Sequence, residues 1–398
     1  MKENQNHFLI ENVQIYAEEQ TYKHGFVEVK DGKIESIGDV RKGINVNLRQ
    51  VITLPNHYKV IPGMIDLHVH GAGGADTMDG SLEALDTIAS VLPKEGVTSF
   101  LPTTMTQSTS LIHQALSMIA TYRKKNQTFK CAEILGVHLE GPFLSSQRAG
   151  AQPIEYMIEL NKDLFKDWQA ASEGAIKVVT FAPELRCGGE FIDYLYQTGV
   201  IASIGHSDAT FLQVTEAVDR GASQVTHLFN GMRGMHHREP GVVGSALLND
   251  GLIVELIADG IHVHPEMLKL TFQQKGADKV ILITDAMRAK GLGDGIYQFA
   301  DQKVMVSDQQ ATLADQTLAG SILHMDEAVR NMMTFSGCRL EDVIKMTAVN
   351  PAKQINIYDR KGSIAPGKDA DLVILNEKNE VEMTFCCGCL AYSRNNFQ

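Results

Sequence analysis

Residues 60 to 74 read VIPGMIDLHVHGAGG: an apolar run that closes on two histidines one residue apart and then on glycines. Side chains alternate across a β-strand, so His68 and His70 face the same way and Val69 faces the other. Two neighbouring imidazoles where a strand runs out suggest chemistry more than packing. The question for the fold is whether other strands end in the same manner.

Seven further apolar, β-rich runs follow: VTSFLPTT (97–104), EILGVHLEGP (133–142), IKVVTFAPE (176–184), VIASIGHSD (200–208), QVTHLFNGM (224–232), IVELIADGIH (253–262) and VILITDAM (280–287). Their spacers include SLEALDTIASVLPKEG, TSLIHQALSMIATYRKK, TFLQVTEAVDRGA and HPEMLKLTFQQKGA, where apolar residues recur at helical spacing. Strands apolar on both faces and separated by helices imply a parallel sheet, and eight such units close a (β/α)8 TIM-type barrel. An open doubly wound sheet is the rival, but no GxGxxG fingerprint or P-loop follows the first strand. At or just after the carboxyl ends of the runs sit His68, His70, Thr103, Thr104, Glu140, Glu184, His206, His227, His262 and Asp285. A barrel brings those ends to one face, where its catalytic groups gather.

The flanks read differently. FLIENVQIYA, GFVEVKDGKIESIG with its hairpin-type Asp31-Gly32, and QVITLPNHYKVIPG are short strands with turns, as is KGSIAPGKDADLVILNEKNEVEMTFCCGCLAY at the other end. The expected architecture is therefore α/β, with a small β-sandwich built from residues 1–61 and 356–398 around a barrel spanning 62–355.

The chain has 398 residues, 44% of them hydrophobic and 21% charged, which is enough for a sizeable core. A formal charge of -12 argues against a broad electrostatic grip on nucleic acid or on an anionic membrane. MKENQNHFLIENVQ lacks the long apolar core of a signal peptide, and no run approaches the roughly 18 apolar residues of a membrane span, so the cytoplasm is expected. Cys131, Cys187 and Cys338 are scattered and form no disulfide framework. Cys386, Cys387 and Cys389 of CCGC lack CxxC spacing and a nearby histidine; they read as a plain apolar strand on which Cys387 and Cys389 share a face.

Six groups, His68, His70, Glu140, His206, His227 and Asp285, form the candidate ligand set. Neutral imidazole nitrogens and carboxylate oxygens suit zinc, iron, cobalt or manganese, and the lack of cysteine argues against a closed structural zinc site. Any one of these histidines could be a hydrogen-bonded core residue. A buried carboxylate without a partner is costly, however, and metal coordination offsets that cost. Six groups suffice for one or two divalent ions, two if Glu140 is shared. Glu184 reads as a loop brace, GADTMDG (74–80) as a loop without EF-hand spacing, and His57, His113, His138 and His324 as residues outside the ring.

PGMIDLHVHG followed by HLEGPF, GHSDA, THLFNGM, ADGIHV, TDAM and LAGS resembles the amidohydrolase superfamily along nearly the whole chain. Within it, the branch that deacetylates phosphorylated N-acetyl amino sugars is the most similar. The resemblance implies one metal on Glu140, His206 and His227. A second is implied on His68 and His70 with Glu140 and Asp285, since the first-strand pair is retained. It also implies Asp285 as the acid/base that accepts a proton from water and delivers it to the leaving amine.

The implied substrate is N-acetylglucosamine phosphorylated at its 6 position. Alternatives are the galacto epimer, another amide typical of the superfamily, or a catalytically silent binding barrel. His262, Asn230, Gly231, Ala151 and the stretch Leu318, Ala319, Gly320, Ser321 match positions that line the sugar site. Arg238 of MHHREPG matches a phosphate anchor that reaches into a neighbouring subunit, so a homodimer is implied; the plainer reading is a surface arginine. Two departures stand out. Gly231 takes the place of a frequent alanine, which should loosen its loop, and Gln152 replaces a frequent histidine and can still hydrogen-bond a sugar hydroxyl.

Overall fold

A computed structural model describes residues 7–39, 50–125 and 130–394. Residues 1–6, part of the stretch read above for a leader, lie outside it. The eight apolar runs form the eight parallel strands of a barrel. They are β1 (Met64–Val69), β2 (Val97–Thr104), β3 (Val137–Glu140), β4 (Ile176–Phe181), β5 (Ile201–Ile204), β6 (Gln224–Val225), β7 (Ile253–Ile257) and β8 (Val280–Ile283). Each pairs in parallel with the next, from Met64 opposite Val97 round to Ile257 opposite Ile283. The ring closes where Val69 bridges Ala286 and the Asp285 N–H donates to the His68 carbonyl at 2.8 Å. Every residue of β1, β2, β3 and β8 is buried, as expected of strands with helices outside and packed side chains within.

Local signals place the helices. Leu82–Val91 starts at Ser81, whose hydroxyl accepts from the Ala84 N–H at 3.1 Å. Phe211–Asp219 starts at a capping box of Thr210 and Gln213. Among the described residues no helix is long and apolar enough to cross a membrane.

The two chain ends share one sheet of eight strands. His7–Tyr16 pairs with Thr21–Lys30, which turns at Asp31-Gly32 into Lys33–Asp39. Lys59–Pro62 pairs in parallel with His7–Tyr16 and antiparallel with Leu372–Leu375, which joins the two ends of the chain. This sheet closes over a second core that includes Ile10, Val27, Ile34, Leu372 and Phe385. The CCGC segment is a hairpin and not a single strand. Cys386 ends Val381–Cys386 and pairs with Cys389 across a Cys387-Gly388 turn, so Cys387 and Cys389 do not share a strand face. Both turn residues take a positive φ, 44° at Cys387 and 74° at Gly388, as a two-residue hairpin turn requires, and only the glycine does so without strain. Among the described residues, no two cysteines are joined in a disulfide.

One element was not foreseen. After β8 the chain forms an antiparallel meander, Gly295–Phe299, Gln302–Ser307 and Gln310–Thr312, before it returns to the barrel wall in the helix Met325–Ser336. The Phe299 ring stands edge-on to His70 with centroids 5.4 Å apart, so the meander roofs the mouth of the barrel.

Candidate active site

The six candidate ligands converge on the mouth. One triad is His68, His70 and Asp285; the other is Glu140, His206 and His227, and each offers ligand atoms within 4.8 Å of one another. Glu140 straddles them. Its Oε1 lies 3.2 Å from His206 Nε2 and 3.0 Å from His227 Nε2, while its Oε2 lies 3.2 Å from His70 Nε2 and 3.7 Å from His68 Nε2. Asp285 Oδ1 stands 3.4 and 3.3 Å from the same nitrogens of His68 and His70.

Backbone conformation sets three of these side chains. His206, His227 and Asp285 have φ of 46°, 31° and 49°, the left-handed region that non-glycine residues seldom occupy. Such positions cost about 1–3 kcal/mol each and persist where the surroundings fix them. For Asp285 the fixing is visible: its N–H donates to His68 O and its carbonyl accepts from the Ser321 N–H, both at 2.8 Å.

The hydrogen bonds at the far side of each ring decide what faces the centre. His206 Nδ1 donates to the Arg148 carbonyl at 2.8 Å and His227 Nδ1 to the Asn230 carbonyl at 3.1 Å, so each turns an unprotonated Nε2 inward, and the two nitrogens are 3.2 Å apart. His68 Nδ1 bonds to Glu255, and its buried Nε2 makes no hydrogen bond. Lone pairs therefore point at carboxylate oxygens, an arrangement of acceptors facing acceptors that needs a cation between them. The nitrogen and oxygen donor set fits a divalent first-row ion.

The electrostatics of the protein alone carry the same demand. Burial would raise the Glu140 pKa, but the positive charge of the neighbouring His68 outweighs it and holds the carboxyl well below the usual carboxylate range. Burial is likewise outweighed at Asp285, which His68 and His70 lower to about 2, and at His70, which Asp285 and Glu140 raise to about 9. His68 is raised well above its ordinary value by Asp285 and Glu140 against the effect of burial. Without a metal, protons on His68 and His70 supply the missing positive charge.

The remaining predicted residues fall in different places. The His262 side chain is largely covered and donates from Nδ1 to Asp259 at 2.6 Å, which leaves its Nε2 for another partner. Asn230 and Gly231 form the turn against His206 and His227. The expectation that glycine merely loosens this loop is revised: a methyl at Gly231 would sit 2.8 Å from His206 Nδ1, so its absence lets the loop close on that ring. Gln152 is held inside the protein, accepting from the Thr106 N–H at 2.9 Å and donating to Glu140 Oε2 at 2.7 Å. The Ala151 carbonyl accepts from Gln302 of the meander at 2.9 Å. Leu318, Ala319, Gly320 and Ser321 return from the meander to Asp285, with Leu318 bridged to Thr312 and Ser321 to Ala286. Arg238 is not brought to the cluster; it is exposed on the turn of His236 to Glu239 and bonds to His237 Nε2 at 2.7 Å. Glu184 braces the loop after β5 through Ser207 Oγ and the Asp208 N–H.

Two buried carboxylates in contact with His68 escape a reading of the sequence. Asp66 accepts from the His68 N–H at 3.2 Å and from the Thr284 hydroxyl at 2.6 Å, tying β1 to β8 below the ligands. Glu255 is the other. Each is the one acid of its strand, set among apolar neighbours in GMIDL and IVELI.

Comparison with known proteins agrees with this geometry. The model of the amidohydrolase family matches residues 59–390. The chain is 48% identical over 385 residues to an N-acetylglucosamine-6-phosphate deacetylase of Bacillus subtilis, covering 96% of this chain and 97% of that one. It is 40% identical over 330 residues to an N-acetylgalactosamine-6-phosphate deacetylase of Escherichia coli, covering 83% and 87%. Among solved structures, a mutant N-acetylglucosamine-6-phosphate deacetylase from Mycobacterium smegmatis, in complex with N-acetylglucosamine-6-phosphate, superposes with a TM-score of 0.90 at 28% identity over 98% and 100% of the two chains. With its motifs in order, its ligands gathered at one barrel mouth and a family match over most of its length, this chain belongs to the amidohydrolase family.

Proposed function

We infer that this amidohydrolase hydrolyses the acetamide of N-acetylglucosamine-6-phosphate, releasing acetate and glucosamine-6-phosphate. The observation that carries the reaction class is Glu140 shared between two ligand triads with Asp285 beside it. The substrate follows from near full-length similarity to deacetylases of that name.

One divalent ion on Glu140, His206 and His227, and a second on His68, His70, Glu140 and Asp285, would lower the pKa of water and polarise the amide carbonyl. Zinc, iron, cobalt and manganese all suit these donors. Asp285 is ionised at neutral pH, the form that accepts a proton from water, and it returns that proton to the amine, which leaves poorly until protonated. His262, Asn230, Gly231, Ala151, Gln152 and Leu318 to Ser321 are assigned to the sugar. Gln152 acts there through Glu140, given where its amide is bonded.

Arg238 is assigned to the phosphate of a second copy, in a homodimer. Its exposure on a turn outside its own cluster supports that assignment. A cytoplasmic setting belongs to the same proposal, because a charged sugar phosphate does not diffuse through a bilayer. Arg238→Ala is expected to raise KM by roughly 10- to 100-fold, equivalent to about 1.5–3 kcal/mol for a bond to a charged group, with kcat little changed. Steady-state kinetics beside sedimentation of the native protein check this, and an unchanged KM removes the residue from phosphate binding.

The second reading is the galacto epimer as substrate, favoured by the Escherichia coli relative. Acetate release from both 6-phosphates, before and after chelation, tests both readings. Faster release from the galacto sugar reverses the substrate assignment, and release that survives complete metal removal overturns the metal chemistry.

A further inference from the structure

Glu255 lies in the middle of β7, a strand that contributes none of the six candidate ligands, and it is fully buried. Three donors converge on it. Its Oε2 accepts from His68 Nδ1 at 3.1 Å and faces the His227 main-chain N–H at 3.3 Å, while its Oε1 accepts from the Gln224 amide at 2.7 Å. Gln224 is held in turn by Gln354, whose amide donates to its Oε1 at 3.1 Å. This one carboxylate therefore touches the side chain of a ligand in one triad and the backbone of a ligand in the other.

We propose that Glu255 is a positioning residue that assembles the metal centre from below: it fixes His68 as the Nδ1–H tautomer, turns its Nε2 towards Glu140 and Asp285, and pins the main chain of His227. The proposal rests on the divalent-metal reading of the site. No other neighbour of His68 can do this. His138 packs its ring 4.5 Å from that of His68, but its Nδ1 donates to the Leu67 carbonyl at 3.0 Å and its Nε2 is engaged with the Thr180 hydroxyl at 2.6 Å. The pin on His227 matters because that residue stands at a φ of 31°, outside the range a histidine adopts freely.

The chemistry requires a carboxylate at this position. An ionised glutamate only accepts, which suits three converging donors, whereas an amide of the same shape sets a donor against one of them. A carboxylate behind a ligating imidazole also makes the imidazole a stronger donor to the metal. The His68 side of the centre depends on Glu255 through a side chain, and the His227 side through backbone alone, so the His68 side should fail first.

The test compares wild type with Glu255→Gln (E255Q), each stripped by chelation and titrated with zinc against a competing chelator. Zinc content per chain and thermal unfolding are measured with and without zinc. The expected result is a zinc affinity lowered about 10- to 100-fold, with fewer ions retained per chain and a smaller zinc-induced rise in Tm. A merely structural glutamate would lower the Tm of the stripped protein and leave the increment from zinc intact; that result, or an affinity equal to wild type, overturns the proposal. A wild type that binds no zinc or other first-row ion sinks the metal reading itself, a distinct failure. Should E255Q not fold, nitrogen-15 histidine spectra of zinc-loaded wild type decide instead: the Nδ1–H tautomer at His68 supports the proposal, and the Nε2–H tautomer overturns it.

Discussion

Asp285→Asn is expected to lower kcat by about 10²- to 10⁴-fold, the usual contribution of a positioned acid/base, while leaving the fold in place. Asparagine tolerates the left-handed conformation that Asp285 adopts at a φ of 49°. The bonds that hold this position, to His68 O and from the Ser321 N–H, are made by backbone and survive the substitution. What is lost is the carboxylate charge beside His68 and His70, and with it the ability to take up and return a proton. KM should change little, because the groups assigned to the sugar are untouched. Acetate release and metal content are measured on the same sample. Full activity removes Asp285 from proton transfer, and loss of activity in step with loss of metal would make it a ligand first.

Glu140→Gln should empty the centre, with an affinity for divalent ions lowered by more than about a hundredfold, since losing a group that only hydrogen-bonds to a ligand already costs about 10- to 100-fold. Both oxygens of Glu140 face imidazole nitrogens, two on each side, and an amide presents one weak acceptor and one donor to the same four. Metal content after dialysis checks the expectation; a full complement in the variant would show that this carboxylate is not the shared ligand.

Stripping the metal has a pH signature. In the metal-free protein His70, raised to about 9, carries a proton at neutral pH, so an entering ion must expel it. Proton release on zinc addition should be clear at about pH 7 and fade as pH approaches about 9. The sign for stability runs the same way. A raised histidine stabilises the stripped fold fully below its ordinary value of 6.5 and loses that contribution as pH rises through about 9. The Tm gap between loaded and stripped protein should therefore widen across this window, and a gap that narrows would contradict the assignment of His70 as a ligand.

Much of this was legible along the chain. Alternation in DLHVH places His68 and His70 on one face, and in the fold both reach Glu140 and Asp285. The eight apolar runs are the eight barrel strands, and Asp31-Gly32 is a hairpin turn. The meander over the mouth went unread, although GIYQF and QKVMVS alternate between exposed and buried residues as a half-covered sheet does. CCGC reads as one strand because a glycine turn of two residues hardly interrupts an apolar run.

Periodicity along the chain was enough for the order of the eight barrel strands, the face that His68 and His70 share and the polar groups delivered to the barrel mouth, because these follow from backbone geometry repeated every two or every three to four residues. Partners are a matter of the folded barrel: Gln152 bonds to Glu140, Arg238 stays outside the cluster, and Glu255 reaches a histidine 187 residues away. Those pairings exist once the barrel closes, since ring closure sets the distance between distant strands and nothing local in the chain encodes it.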